Sequence, residues 1–130
     1  MTVQGTPDQL VEILMSTVVA LVRRDGPDLS ARQLAVSLTV YLDEGPHTVR
    51  GLAKELNVSK PAITRALDRL GVHDFTRRQV DPKDRRSVLV QRTVKGAALL
   101  REIRAIMTEA AAACDEATPD EATELRQQHA

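Results

Sequence analysis

Two short apolar-periodic segments, with only Asn57 and Val58 between them, constrain the fold of this chain more than any other feature. Residues 49–56 and 59–70 each repeat apolar side chains at the spacing of one helical face. Asn57 tolerates the left-handed backbone conformation that a sharp turn needs. The sequence therefore predicts two helices joined by a tight turn and packed on each other.

The second helix has a clear start and two different faces. Ser59 is a good N-cap, and Pro61 in the first turn costs no helical hydrogen bond. The predicted buried stripe is Ile63, Ala66, Leu67 and Leu70. The opposite face carries Pro61, Thr64, Arg65, Asp68 and Arg69, with Lys60 at its edge. Short polar groups followed by arginines suit a helix in the major groove of DNA, with an ordinary solvated helix as the alternative.

Residues 76–80 and 87–92 predict two short strands around the polar hexamer 81–86, which supplies turn chemistry. The predicted tip carries Lys83, Arg85 and Arg86. A basic finger of this kind commonly enters a minor groove or follows phosphates, and an ordinary charged hairpin is the alternative.

Charge is unevenly distributed along the chain. The 18 Lys and Arg residues balance the 18 Asp and Glu residues, but residues 48–92 hold eleven of the former and five of the latter. Attraction to phosphate needs only a local patch, so the neutral total does not argue against a nucleic-acid partner.

Four segments, 52–70, 77–78, 81–86 and 93–96, resemble the winged-helix core of MarR-type transcriptional regulators. The Asp-x-Lys-Asp-x-Arg pattern of residues 81–86, followed by Thr-x-Lys-Gly, is the most specific part. The likeness extends over about residues 29–107. It implies a homodimer on double-stranded DNA with one winged helix per subunit, and many relatives release DNA on binding a small ligand or on cysteine oxidation.

The resemblance assigns roles to the basic and polar residues of this core. Base edges would be reached by Thr64, Arg65 and Arg69, with Pro61 and Ala62 shaping the approach. Arg85 would probe the minor groove. Phosphates would be held by Ser59, Lys60, Arg77, Arg78, Lys83 and Arg86.

The sequence departs from the family pattern in three places. Gly51 stands where an acidic residue often completes the capping box of Thr48. Asp74 stands where glycine is usual before the first wing strand. The end of the chain is also shorter than is typical.

The flanking segments predict further helices. Capping boxes at 6–9 and 30–33 open helices to about Arg24 and Leu42. The first helix is apolar around most of its circumference, so we expect a second subunit to cover it, with burial inside one subunit as the alternative. The predicted inner face of the second is Leu34, Ala35, Leu38, Tyr41 and Leu42.

A long helix is predicted from Thr93 to about Cys114, followed by a short one at 118–128. Its seam for a partner helix is Leu100, Ile103, Met107, Ala110 and Cys114. Asp115 and Glu116 follow Cys114 near the helix end and disfavour a thiolate. We therefore expect an inert cysteine rather than a redox switch.

The predicted fold is mainly α with a small β-hairpin, and a very short strand is expected before Thr48. Residues 1–130 would be a single domain, with a winged-helix lobe at 30–92 and a helical dimerisation region at 6–24 plus 93–129. One cysteine suits a reducing compartment. Without a signal peptide pattern or an apolar run of ~20 residues, we expect a cytoplasmic, nucleoid-associated protein and no membrane partner.

The predicted function is a sequence-specific DNA-binding regulator, a repressor in the first instance, with release by a small apolar or aromatic effector as an option. The effector pocket would lie where the helices starting at 6, 30 and 93 meet the winged-helix lobe. The alternatives are an effector-independent DNA-binding protein and a winged-helix protein-interaction module. No enzyme motif, cofactor or metal site is expected, and His47, His73 and His129 are taken as surface or packing residues.

Overall fold

The structure is a computed structural model that describes residues 3–116 of the chain. That range contains α1 (Pro7–Arg23), α2 (Ala31–Leu42), β1 (His47–Thr48), α3 (Val49–Leu56), α4 (Lys60–Val72), β2 (Thr76–Asp81), β3 (Asp84–Arg92) and α5 (Val94–Glu116). The strands form one antiparallel sheet in the order β1-β3-β2. The predicted winged-helix fold class, mainly α with a small β element, is confirmed. The last predicted helix, at 118–128, lies outside the described residues.

The backbone separates into two compact units that share helix α5. The α/β unit is Pro27–Arg101, which contains α2 to β3 and the first turns of α5. Among the described residues, the helical unit takes α1 and the later turns of α5, within 3–26 and 102–116. The single-domain assignment and its lobe boundaries stay predictions.

Polar side chains fix the starts of the helices. Thr6 and Gln9 exchange two hydrogen bonds, with Gln9 N donating to Thr6 Oγ1 at 3.2 Å and Thr6 N to Gln9 Oε1 at 2.8 Å. Ser30 and Gln33 repeat this box at the start of α2. Thr48 caps α3 through the N–H of Gly51 alone, which confirms that this box is incomplete.

The turn between α3 and α4 has the predicted conformation. Asn57 is left-handed, with φ 54° and ψ 47°. The Val58 N–H donates to the Ala53 carbonyl at 3.0 Å, which closes the end of α3. Leu52 and Ile63 are 1% and 0% exposed, so the two helices share one core.

Helix α2 buries a different face from the predicted one. Val36 and Val40 are fully buried and Ser37 is 5% exposed, whereas Leu42 is 58% exposed. Helix α2 is apolar on both sides, and its packing against α4 selects the face that carries Val36 and Val40. Periodicity alone does not distinguish two apolar faces.

The wing, defined as β2, β3 and the turn between them, is longer than predicted. Strand β3 begins at Asp84 rather than at residue 87, so the tip shrinks to the two residues between Asp81 and Asp84. A bulge interrupts the ladder between Val80 and Asp81. The expected short strand before α3 is present as β1, with His47 opposite Val90.

The Tyr41 hydroxyl joins three parts of the α/β unit. It donates to the Phe75 carbonyl at 2.7 Å and accepts the Thr93 N–H at 2.8 Å. Thr93 Oγ1 in turn donates to the Asp74 carbonyl at 2.6 Å and accepts the Gly96 N–H at 2.9 Å. Asp74 has φ 58°, so the predicted left-handed turn is present there without a glycine. These contacts fix the first turn of α5.

In the helical unit, α1 exposes much of its apolar surface. Val11, Leu14 and Val22 are 64%, 61% and 63% exposed. Thr17 is buried, and its hydroxyl donates to the Ile13 carbonyl at 2.7 Å. In the part of the chain that the structure describes, no helix has both the length and the apolar character needed to span a bilayer.

Cys114 packs against α1 within the same unit. Its Sγ lies 3.7 Å from Glu12 Oε2 and 3.9 Å from the Gln9 carbonyl oxygen. A carboxylate neighbour disfavours a thiolate. The environment is therefore consistent with an inert, packed cysteine.

Candidate nucleic-acid interface

The exposed face of α4 carries the predicted polar and basic side chains. Pro61, Arg65 and Arg69 are exposed and Thr64 is half-buried. Ala62 requires a correction, because it is 5% exposed and belongs to the core. Helix α4 packs against both α2 and α3, so its buried arc is wider than one apolar stripe. Ala62 therefore does not present its side chain to a ligand on this face.

A groove of about 520 Å³ lies where the starts of α3 and α4 meet the wing strands. We call it the cationic groove, and its lining is Thr48, Val49, Arg50, Lys60, Thr64, Arg78, Asp84, Arg86, Ser87 and Val88. Each of α3, α4, β2 and β3 contributes one basic side chain, and one carboxylate is present. Residues from separate parts of the chain thus converge on one positively charged surface.

Apart from the buried Ala62, the predicted site residues divide into two groups. The cationic groove brings together Lys60, Thr64, Arg78 and Arg86. Another seven are exposed but do not line it: Ser59, Pro61, Arg65, Arg69, Arg77, Lys83 and Arg85. The Ser59 hydroxyl accepts the Ala62 N–H at 3.2 Å, so it already caps α4.

Six groove residues are absent from the sequence-based site: Thr48, Val49, Arg50, Asp84, Ser87 and Val88. Arg50 is the informative one, because it is exposed on the first turn of α3 and contributes a full charge. Its only sequence signal is membership of the basic cluster at 48–92. Its approach to the wing depends on the fold, since α3 and β3 are far apart in the chain.

Two of the predicted phosphate-binding arginines already have acidic partners. Arg77 Nε lies 3.2 Å from Asp74 Oδ1. Arg78 Nη2 forms an ion pair with Asp68 Oδ1, and this contact links β2 to α4. Asp68 lies on the exposed face of α4, as its position in the sequence predicts, but the sequence alone indicates no role for it.

The acids of the wing hold its backbone. Asp81 Oδ1 accepts the Lys83 N–H at 2.9 Å, and Asp84 Oδ1 accepts the Arg86 N–H at 3.1 Å. Side chains that bond their own turn in this way fix its conformation. Arg85 and Arg86 consequently project from strand β3 rather than from a loose tip.

Arg92 belongs to the basic cluster, but its guanidinium is hydrogen-bonded to backbone carbonyls within the fold. Its Nε donates to the Val40 carbonyl at 2.7 Å and its Nη2 to the Asp43 carbonyl at 3.1 Å. The guanidinium also lies 5.8 Å from the centroid of the Tyr41 ring. A cation at the end of a helix satisfies its last carbonyls, and Arg92 does so for α2.

Comparison with known proteins agrees with this geometry. The family model described as "MarR family" matches residues 27–88, which include α2, α3, α4, β2 and most of the wing. Over this stretch the chain is similar to the MarR family. The match confirms the resemblance found in the sequence.

Individual similar proteins extend the comparison. The HTH-type transcriptional repressor NicR of Pseudomonas putida is 36% identical over 74 residues, which are 57% of this chain and 46% of NicR. A crystal structure of MarR is 28% identical, with a TM-score of 0.63 over 95% of this chain and 92% of that one. A mutant of S. aureus MepR bound to an oligodeoxyribonucleotide is 19% identical, with a TM-score of 0.70 over 96% and 94%. The chain spans about half the length of the curated relative it matches.

Proposed function

We propose that this chain is a MarR-type DNA-binding transcriptional regulator, in the first instance a repressor. The observation that carries the proposal is the convergence of Arg50, Lys60, Arg78 and Arg86 on one groove beside the exposed face of α4. A duplex presents phosphates on both sides of each groove, and cations placed around a helix match that arrangement. The repressor name of NicR and the oligonucleotide bound to the MepR mutant support the same function.

We assign each proposed DNA contact according to the chemistry of the side chain. Thr64, Arg65 and Arg69 of α4 read base edges in the major groove, where arginine forks onto guanine. Arg85 in the wing enters the minor groove. We assign the phosphate contacts to Ser59, Lys60, Arg77, Arg78, Lys83 and Arg86. We add Arg50 because it lines the cationic groove.

The regulator acts as a homodimer. The exposed apolar residues of α1, such as Val11, Leu14 and Val22, form a surface that a second copy would remove from water. Two winged helices related by a two-fold axis read half-sites about one helical turn, ~34–36 Å, apart. Chromosomal DNA as the partner places the site of action in the cytoplasm, at the nucleoid.

A small apolar or aromatic effector would bind and stabilise the folded protein. At 100 times its dissociation constant it would add about 2.7 kcal/mol to the free energy of unfolding. Thermal unfolding with a panel of phenolic compounds tests whether an effector exists. A compound that binds should raise the melting temperature, whereas a regulator without an effector should show no such rise.

The function is tested by selecting genomic fragments with the full chain and measuring binding to the selected site and to random duplex. We expect affinity for both to fall as salt rises, with the selected site bound more tightly. Arg65→Ala should weaken the selected site by ~1–3 kcal/mol and relax preference at one base pair. Equal losses on both duplexes would assign Arg65 to phosphate, and no binding to either duplex at low salt would refute the function.

A further inference from the structure

Asp68 is the one acidic residue of α4, and it lies on the face that also carries Arg65 and Arg69. Its side chain is 59% exposed. A carboxylate on a surface that meets phosphates opposes binding through like-charge repulsion. We therefore expect Asp68 to make a specific contact that accounts for its presence on this face.

That contact is the ion pair with Arg78. Arg78 lies on β2, lines the cationic groove, and has a side chain that is 35% exposed. The pair uses Nη2 of the guanidinium, which carries five N–H donors in all. Arg78 is consequently held beside α4 with donors left for a phosphate or a base edge.

We propose that Asp68 is a specificity-determining residue, which acts by holding Arg78 beside α4 and away from unspecific phosphate contacts. The proposal rests on the DNA-binding function proposed above. It assigns to Asp68 a positioning role, whereas the partner that meets DNA is Arg78.

A DNA phosphate and the Asp68 carboxylate compete for the guanidinium of Arg78. A phosphate and the Asp68 carboxylate bind Arg78 in a similar way, since both are anionic acceptors of charge-assisted hydrogen bonds from the planar guanidinium. On random DNA, a phosphate that approaches Nη2 gains this donor only by displacing Asp68. On the cognate site, α4 fits the major groove, and Arg78 contacts DNA with the donors that it does not use for Asp68. Asp68 thus weakens random binding more than cognate binding.

The experiment measures affinity of Asp68→Asn and wild type for the selected site and for random duplex by fluorescence anisotropy, from about 50 to 200 mM salt. We expect random-duplex affinity to rise about three- to tenfold, and its salt slope to steepen by about 0.9, the value for one added phosphate contact. Affinity for the selected site should change less than twofold. The ratio between the two duplexes should therefore fall about three- to tenfold.

Asp74→Asn is the matched control. It makes the same chemical change in another exposed ion pair to a β2 arginine, Arg77, which does not line the cationic groove. Asparagine also tolerates the left-handed conformation at this position. Loss of one negative charge should raise both affinities together and leave their ratio as in wild type.

The second arm places Asp68→Asn in an Arg78→Gln background. If Asp68 acts through Arg78, the Asp68→Asn substitution should change neither the affinity ratio nor the salt slope in the Arg78→Gln background. An unchanged ratio for Asp68→Asn alone overturns the proposal. So does an equal change with and without Arg78, which would mean that Asp68 contacts bases directly.

The design separates this proposal from the function on which it depends. If wild type prefers its selected site and Asp68→Asn leaves the ratio of the two affinities unchanged, only the role of Asp68 is refuted. Wild type that does not bind DNA defeats both. The pair is exposed, so it contributes little to folding, and matching thermal unfolding curves will verify that the variants are folded.

Discussion

Gly96 shows how closely single residues are fitted in the α/β unit. It is buried, and a Cβ atom built there would overlap the Tyr41 hydroxyl and the Phe75 carbonyl oxygen. These two atoms are hydrogen-bonded to each other, and Phe75 contributes backbone that cannot rotate away. The small residue therefore allows α5 to begin against the Tyr41 joint.

Gly96→Ala should lower the free energy of unfolding by at least ~1–3 kcal/mol, because an extra methyl in a packed site forces its neighbours to shift. Gly71→Ala in α4 is the matched control, since its Cβ would meet nothing within 4 Å. It should raise the free energy of unfolding by about 0.4–1 kcal/mol through the unfolded state. Urea denaturation followed by circular dichroism measures both. Equal effects of the same sign would contradict the close approach at Gly96.

At the scale of elements, the cationic groove depends on α3 as much as on α4 and the wing. Helix α3 is only eight residues long, yet it supplies Arg50 to the groove and packs against β3. A short helix held by its neighbours is a rigid support for a charged side chain, because most helical stability in proteins comes from packing.

Arg50→Ala should weaken the selected and the random duplex by the same factor and reduce the salt slope by about 0.9, as expected for one lost phosphate contact. Arg32→Ala removes the same charge from an exposed position on α2 that does not line the groove. Its slope should match wild type. A loss confined to the selected duplex would instead show that Arg50 reads a base.

At the scale of the whole molecule, the exposed apolar surface of α1 decides how the chain behaves in solution. Val18 and Val19 are 47% and 38% exposed, and Met15 is 58% exposed. An apolar strip along a whole helix is unusual on a monomer and is typical of a subunit interface. Homodimerisation through α1 is the corresponding proposal.

Leu14→Glu should therefore shift the protein from dimer to monomer, because it would place a charge within the proposed interface. Val94→Glu is the control, since Val94 is 87% exposed at the start of α5 in the α/β unit. It should leave the dimer intact. Sedimentation equilibrium over a range of concentrations measures both, and a monomeric wild type would contradict the proposal directly.

Features that depend on neighbouring residues were predictable from the amino-acid sequence alone. The capping boxes of Thr6 and Ser30, the left-handed Asn57 and the start of α4 at Ser59 were all predictable. Each rests on hydrogen bonds or backbone preferences within about four residues. The winged-helix fold class followed because these local signals occur in a characteristic order.

The side chains that meet across the chain, by contrast, were not predictable before the fold was known. It buries Val36 and Val40 of α2 rather than Leu42 and moves Ala62 into the core. It also pairs Asp68 with Arg78 and adds Arg50 to the cationic groove. Periodicity fixes the faces of a helix but not the neighbour that covers each face. Contacts between distant residues are set by how the elements pack, and local sequence carries no measure of those distances.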